Sequence, residues 1–324
     1  MGGGAYPHAV AVGLPILGGD DIHVTSGGVR VRGHFWKADG NKPPVLICPG
    51  FTEFCEKHSP AAAHFHARGH DVLIIDWPGQ GRSGHLARSD CGVHIDSFEQ
   101  YLVAMDALVE AAGLSTGQII LFGHSMGGHL ALRLASRYGG RVIGTVVLSP
   151  MMVPRPRPVW LVRALAGLLM LAGRARHDAP SSQPRRVENE RVFSAGNHLT
   201  RCERGYEQRF SWYADSPDLW RYGASVGWVA AAYASCAATT LNPAFLRSVA
   251  RPVLVLTGSD ETIVRKEAFA AMLRWLPDSQ QHEYEGAKHE LLYETEDVRA
   301  DLWQRIDSFL AGVGGQGGSV MRPG

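Results

Sequence analysis

Cysteine is scarce and poorly placed for cross-linking. The 324 residues hold five (Cys48, Cys55, Cys91, Cys202 and Cys236), an odd number with no Cys-x-x-Cys spacing. That excludes a disulfide framework or a cysteine-rich zinc site, and points to free thiols in a reducing, cytoplasmic compartment. An excess of one charge is also missing. Lys and Arg number 32 against 31 Asp and Glu, a net charge of +1, so no global field draws the chain to nucleic acid. The start lacks a clean apolar run. Residues 9–17 are interrupted by Gly13 and Pro15, have no basic flank and precede no convincing cleavage site, so no signal peptide is expected. No internal repeat is present, which removes solenoid architectures.

What remains is a chain with 45% hydrophobic residues, enough to bury a substantial core as one large domain or one domain carrying an insertion. Residues 29–36 alternate as a strand near an antiparallel edge would. The runs at 45–48, 72–75, 118–122, 142–148 and 252–256 are continuously apolar, as strands buried on both faces are. Helical spacing falls between them, at 60–68, at 96–112 (Phe98, Leu102, Met105, Leu108, Val109) and after 125. The pattern resumes late, with a helix near 266–275, a strand near 281–284 and a helix over 298–310. Alternating β and α of this kind predicts an α/β fold, a mostly parallel central sheet with helices on both faces.

The rhythm breaks at 151–246, where helical tendency and Arg, Trp and Tyr dominate. This segment reads as an inserted helical cap over the active face. The expected organisation is a Gly-rich N-terminal extension (1–21), a core from 22–150 and 247–311, the cap between them, and a flexible tail (312–324).

Residues 118–128 carry the chemistry. An apolar run enters Gly123-His124-Ser125-Met126-Gly127 and a helix-capable segment follows, the strand–turn–helix context of a nucleophile elbow. With 38 glycines in the chain the pentapeptide alone is weak, so its context must carry the argument. An elbow serine needs an acid and then a histidine downstream. Asp260 follows the 252–256 strand and His289 follows the 281–284 strand, so both sit at strand ends on the same sheet edge as Ser125. His289 would accept the Ser125 proton and Asp260 would orient the imidazole, although Asp260 could instead be a turn-former. Met126 N–H and Phe51 N–H, the latter in the turn after the 45–48 strand, are the expected oxyanion donors. This chemistry calls for no cofactor and no metal. His124 reads as structural. His64, His66 and His70 have metal-like spacing, but His64 and His66 point apart on a helix.

Alongside the elbow stand Pro49-Gly50-Phe51-Thr52-Glu53, Asp76-Trp77-Pro78-Gly79-Gln80-Gly81-Arg82-Ser83 and Lys288-His289-Glu290. With these the chain resembles, over about residues 28–311, the bacterial lysophospholipase and monoacylglycerol lipase group of α/β hydrolases. Some members of that group are labelled serine aminopeptidases by domain similarity. Asn197-His198-Leu199-Thr200 and Gly227-Trp228 look like its lysophospholipase branch. The resemblance implies an α/β-hydrolase fold, a Ser125–Asp260–His289 triad and oxyanion donors at Phe51 and Met126. The group usually has His-Gly where this chain has Pro49-Gly50, a change that leaves the Phe51 backbone donor in place.

Three functions stay open: a serine hydrolase of single-chain lipid esters, a small-ester carboxylesterase or aminopeptidase-like hydrolase, and a noncatalytic lipid-binding or interaction protein. The cap bears on the choice. Residues 159–172 are apolar on nearly all sides, which suits a buried cap helix, an acyl-binding lid or an interfacial anchor. Residues 151–201 hold nine Arg against three acids, +6 in a chain that totals +1, so peripheral contact with an anionic membrane is a further expectation.

Overall fold

The computed structural model describes residues 18–153, 158–180, 182 and 192–316. Eight strands form one sheet: β1 (Asp20–Ser26), β2 (Val29–Trp36), β3 (Lys42–Cys48), β4 (His70–Ile75), β5 (Ile119–His124), β6 (Val142–Leu148), β7 (Val253–Gly258) and β8 (Ser279–Tyr284). Their spatial order is β1-β2-β4-β3-β5-β6-β7-β8. β1 and β2 pair antiparallel, β2 meets β4 antiparallel, and every later pairing is parallel. Parallel strands with crossover helices bring every strand C-terminus to one edge, and the candidate site lies there.

The continuous apolar runs follow from having helices on both sides. In β4, Leu73 and Ile75 face one core while Val72 and Ile74 face the other. The first core is closed by α2 (Glu99–Ala111) and α3 (Met126–Tyr138), the second by α1 (Ser59–His66) and by α9 (Glu296–Gln316) through Leu302 and Ile306. β8 is the exception, an edge strand with most of its side chains outside both cores.

Two boundaries differ from expectation. β2 lies near the antiparallel edge as expected, and the edge itself is β1, which takes in Asp20 and Asp21. Asp21 accepts from Arg32 Nε at 2.8 Å and pairs with His34 Nδ1 at 2.8 Å, which fixes a segment assigned to the extension. Residues 1–17 lie outside the described residues. At the other end α9 continues to Gln316, five residues into the expected tail; 317–324 are outside the described residues.

Between β6 and β7 lie α4 (Val159–Leu171), α5 (Glu203–Asp215), α6 (Val226–Ala238) and α7 (Pro243–Ser248), and α8 (Glu267–Trp275) follows β7. The latter half of this insertion is fused to the body. Trp228, Ala232, Cys236, Leu246 and Val249 are buried in the same core as α2 and α3. A two-residue parallel pairing of Gly92–Val93 with Gly223–Ala224 ties it to the loop after β4. Helix α4 differs from the helix buried on all sides that its composition suits. Leu171 is 88%, Trp160 71% and Leu168 65% exposed, while Ala166 is buried.

Candidate active site

Ser125 closes β5 and caps α3 with φ 53°, a left-handed conformation that costs a non-glycine residue about 1–3 kcal/mol. The turn is held from three sides. Ser125 N–H donates to Leu148 O at 2.9 Å, and Ser125 O accepts from His129 N and Met151 N. The two motif glycines are needed for space. A Cβ on Gly127 would stand 1.8 Å from Cys48 O, and one on Gly123 2.4 Å from Gly127 O. The glycines therefore let α3 start against β3, beside the turn that follows it.

That turn contains Phe51, and it too is strained, with Thr52 at φ 61°. Its shape is set by buried side chains. Gly50 N–H donates to Glu53 Oε2 at 2.5 Å, Gln80 Nε2 donates to Gly50 O at 3.0 Å, and Thr52 N–H donates to Gln80 Oε1 at 3.0 Å. The Phe51 ring rests 4.3 Å from Trp228, whose Nε1–H donates to Tyr101 Oη at 3.0 Å. Met126 is the first residue of α3, where N–H groups lack intrahelical acceptors. Phe51, Ser125 and Met126 line one cavity.

His289 is buried in the loop after β8, and its Nδ1 meets a carboxylate at 2.6 Å. That carboxylate is Glu261 Oε2, not Asp260, so the expected acid is corrected by one residue. The backbone supplies the reason. Asp260 N–H donates to Ala287 O at 3.0 Å, a close approach made possible by Gly258, where a Cβ would lie 2.1 Å from the same oxygen. Pinned this way, residue 260 turns its side chain to solvent and residue 261 faces inward. Glu261 Oε1 accepts from Ile263 N at 2.6 Å and Val264 N at 3.0 Å, which leaves Oε2 for the imidazole. Burial pushes the Glu261 carboxyl up, but His289 and the two backbone donors outweigh it and hold the group below its ordinary 4.5.

A second buried polar cluster lies beneath these loops, and sequence reasoning assigned it no role. Lys57 Nζ bridges Glu53 Oε1 at 2.6 Å and Glu290 Oε1 at 2.8 Å. His58 Nε2 meets Glu53 Oε2 at 2.8 Å, and Arg209 Nη1 reaches Glu290 Oε1 at 3.2 Å. Lys57 and Arg209 overcome burial to hold Glu290 at about 2, and Lys57 and His124 hold Glu53 well below the carboxylate range. Glu53 and Glu290 stand in the segments that carried the resemblance, but a partner 233 residues away, as Glu290 is from Lys57, leaves no local pattern.

The cavity at Ser125 measures about 650 Å³. Val162, Leu165, Ala166 and Leu169 of α4 line it from the cap, and Met151, Trp228 and Ile263 from the body. None of the described residues lining it is Asp or Glu. A cap segment braces the loop that carries His289. Glu290 N–H donates to Leu199 O at 2.8 Å, and Lys288 Nζ donates to Ala195 O and Asn197 O. The metal-like histidines have other partners. His64 stacks on Trp303 and meets Asp307, His66 stacks on Trp36, and His70 donates to Pro43 O. Of the cap arginines, Arg155, Arg157, Arg185, Arg186 and Arg191 lie outside the described residues. No described helix is long and apolar enough to cross a membrane.

The chain is similar to known proteins. Residues 40–296 match the family model described as serine aminopeptidase, S33. Phospholipase YtpA of Bacillus subtilis is 27% identical over 281 residues, spanning 85% of this chain and 97% of the relative. Lysophospholipase L2 of Escherichia coli is 26% identical over 292 residues, 87% of this chain and 84% of the relative. A soluble variant of monoglyceride lipase from Saccharomyces cerevisiae, solved with a substrate analog, superposes with a TM-score of 0.70 at 17% identity, over 96% of this chain and 99% of that one. The last likeness speaks to the fold: an α/β-hydrolase sheet with covering helices.

Proposed function

The chain belongs to the serine aminopeptidase S33 family, and from that premise we propose that this ester hydrolase cleaves single-chain lipid esters, lysophospholipids or monoacylglycerols, at Ser125. The observation that carries the substrate class is the cavity of about 650 Å³ at the serine, walled by Met151, Leu169, Trp228 and Ile263. Its volume falls in the range of small-molecule sites, and its walls suit an acyl chain. An aminopeptidase would need an acidic group for the substrate amine, and none of the described lining residues supplies one. The relatives' printed names, a phospholipase and a lysophospholipase, favour the same class.

In this mechanism Ser125 Oγ attacks the ester carbonyl while His289 Nε2 takes its proton. The tetrahedral oxyanion lies against Phe51 N–H and Met126 N–H, where each donor contributes about 3–4 kcal/mol. Glu261 holds His289 through Nδ1 and stabilises the imidazolium. His289 then protonates the departing alcohol, leaving an acyl-enzyme that water cleaves by the same steps in reverse.

The outer face of α4 extends the proposal to where the substrate is met. Trp160, Leu161, Leu168 and Leu171 are exposed, and the exposed Arg163, Arg174 and Arg176 lie on and just after the same helix. An apolar face edged with cations suits peripheral contact with an anionic membrane.

The test is a hydrolysis panel of p-nitrophenyl esters, monoacylglycerols, lysophospholipids and aminoacyl amides, with Ser125→Ala as control. Single-chain lipids should be preferred, and Ser125→Ala should abolish both turnover and fluorophosphonate labelling. Preference for short soluble esters over every lipid would leave an esterase and remove the lipase reading. A folded, unmutated protein that fails to label would favour a binding role.

A further inference from the structure

We propose that His124 is a positioning residue, a buried imidazolium that cross-links the nucleophile elbow to the loop carrying His289. This deepens, and depends on, the ester-hydrolase mechanism at Ser125. His124 immediately precedes the serine and is only 4% exposed. Its Nδ1 lies 2.9 Å from Glu53 Oε1, and its Nε2 lies 3.2 Å from the backbone carbonyl oxygen of His289.

Both partners are acceptors only. A neutral imidazole carries one N–H, so one ring nitrogen would turn a lone pair on a carboxylate or a carbonyl. Away from water that contact is unfavourable, and the doubly protonated ring satisfies both sides. The groups facing the ring agree. Glu53, Lys57 and His58 approach from the segment after β3, and Glu290 and the His289 ring (centroid 4.8 Å away) from the base loop, with Arg209 of α5 behind Glu290. Burial works against charge on His124, but Glu53 outweighs it and raises the group above its ordinary 6.5.

The charge count gives the arrangement a catalytic sense. Glu53, Glu261 and Glu290 are three carboxylates; Lys57, Arg209 and His124 are three cations. With His289 neutral the cluster balances. When His289 takes the serine proton, the one added positive charge appears as the oxyanion gains one negative charge. Glu53 also accepts from Gly50 N–H, so the same carboxylate that holds His124 shapes the turn bearing Phe51. Oxyanion turn, elbow and base loop thus share one ionic hub.

Nitrogen-15 NMR of the full unmutated chain, labelled at histidine and assigned through the backbone, reads the charge directly. Both His124 ring nitrogens should carry protons at pH 7, where exposed histidines are mostly neutral. A bare ring nitrogen at pH 7 would overturn the proposal. His124→Asn should lower kcat on a soluble p-nitrophenyl ester at least tenfold with KM within twofold. It should also remove an alkaline limb of the kcat profile, where the unmutated enzyme loses the ring proton. Unchanged kcat in a folded variant would overturn the positioning role. If the variant does not fold, the NMR arm still decides. Fluorophosphonate labelling of Ser125 separates the two readings: a doubly protonated His124 in a protein that does not label supports the cross-link and sinks the hydrolase assignment.

Discussion

Glu261 and Asp260 are adjacent acids with opposite surroundings, and the difference is measurable. Glu261 is buried with one oxygen on His289 Nδ1 and the other on two backbone N–H groups, while Asp260 points to solvent. Glu261→Gln would present a neutral amide that can favour the wrong imidazole tautomer, a change that costs about 10⁴-fold in kcat in serine triads. Asp260→Asn alters an exposed side chain and should leave kcat nearly unchanged. Steady-state kinetics on a p-nitrophenyl ester checks both; a larger loss from Asp260→Asn than from Glu261→Gln would reverse the assignment. The sequence reading takes Asp260 as the acid after β7, and the structure puts the neighbouring Glu261 on His289 instead. The choice depends on the Asp260 N–H to Ala287 O bond, which joins loops 27 residues apart. The strand-end positions of Ser125 and His289 were legible from the strand runs that precede them. The Lys57 bridge is ionic and distant in sequence, and periodicity does not carry such information.

Helix α4 presents two apolar faces, and each makes its own prediction. The inner face, with Val162 and Leu169, lines the cavity, so Leu169→Trp should fill it and cut turnover of long acyl esters several-fold more than that of butyrate esters. The outer face bears Leu168 and Leu171, 65% and 88% exposed. Leu168→Asp with Leu171→Asp should weaken co-sedimentation with anionic liposomes and slow hydrolysis of vesicle-borne substrate, with soluble-ester kcat kept. Equal loss on both substrates would place the face in folding or in the site rather than at a membrane. Strand runs such as 72–75 were readable as buried on both sides because side chains alternate between two covered faces. The two-sided character of α4 was not, because an apolar helix carries no mark of which stripe meets protein and which meets solvent. The extent of α9 was misjudged for a related reason. Gly312 and Gly314 lower helix propensity, yet Val313 packs against the second core and the turn forms on that contact.

Across the whole molecule, buried titratable groups set how stability depends on pH, and two kinds act in different windows. Burial and the neighbouring Arg133 depress His129 to about 3, against an ordinary 6.5. The unfolded chain therefore takes up that proton first, and stability falls as pH drops from about 6.5 toward 3. His58, depressed by burial, acts in the same direction; His124, raised, opposes it. Glu290 at about 2, Glu53 and Glu261 are carboxyls held below their ordinary 4.5. Their contribution is complete above about 4.5 and is lost as pH falls toward 2. Scanning calorimetry should show a shallow decline in melting temperature below about pH 6.5 and a steeper one below about 4.5. His129→Gln should lessen the first slope and spare the second. Lys57→Met isolates the acid-side term. Removing the bridge at neutral pH leaves Glu53 and Glu290 buried beside each other short of a cation, a loss of about 3–5 kcal/mol for a broken buried pair. Near pH 3 those carboxyls can protonate in the variant, so its deficit against the unmutated chain should shrink there. A deficit that stays constant from pH 7 to 3 would mean that Lys57 stabilises by packing its methylenes rather than by holding two carboxylates together.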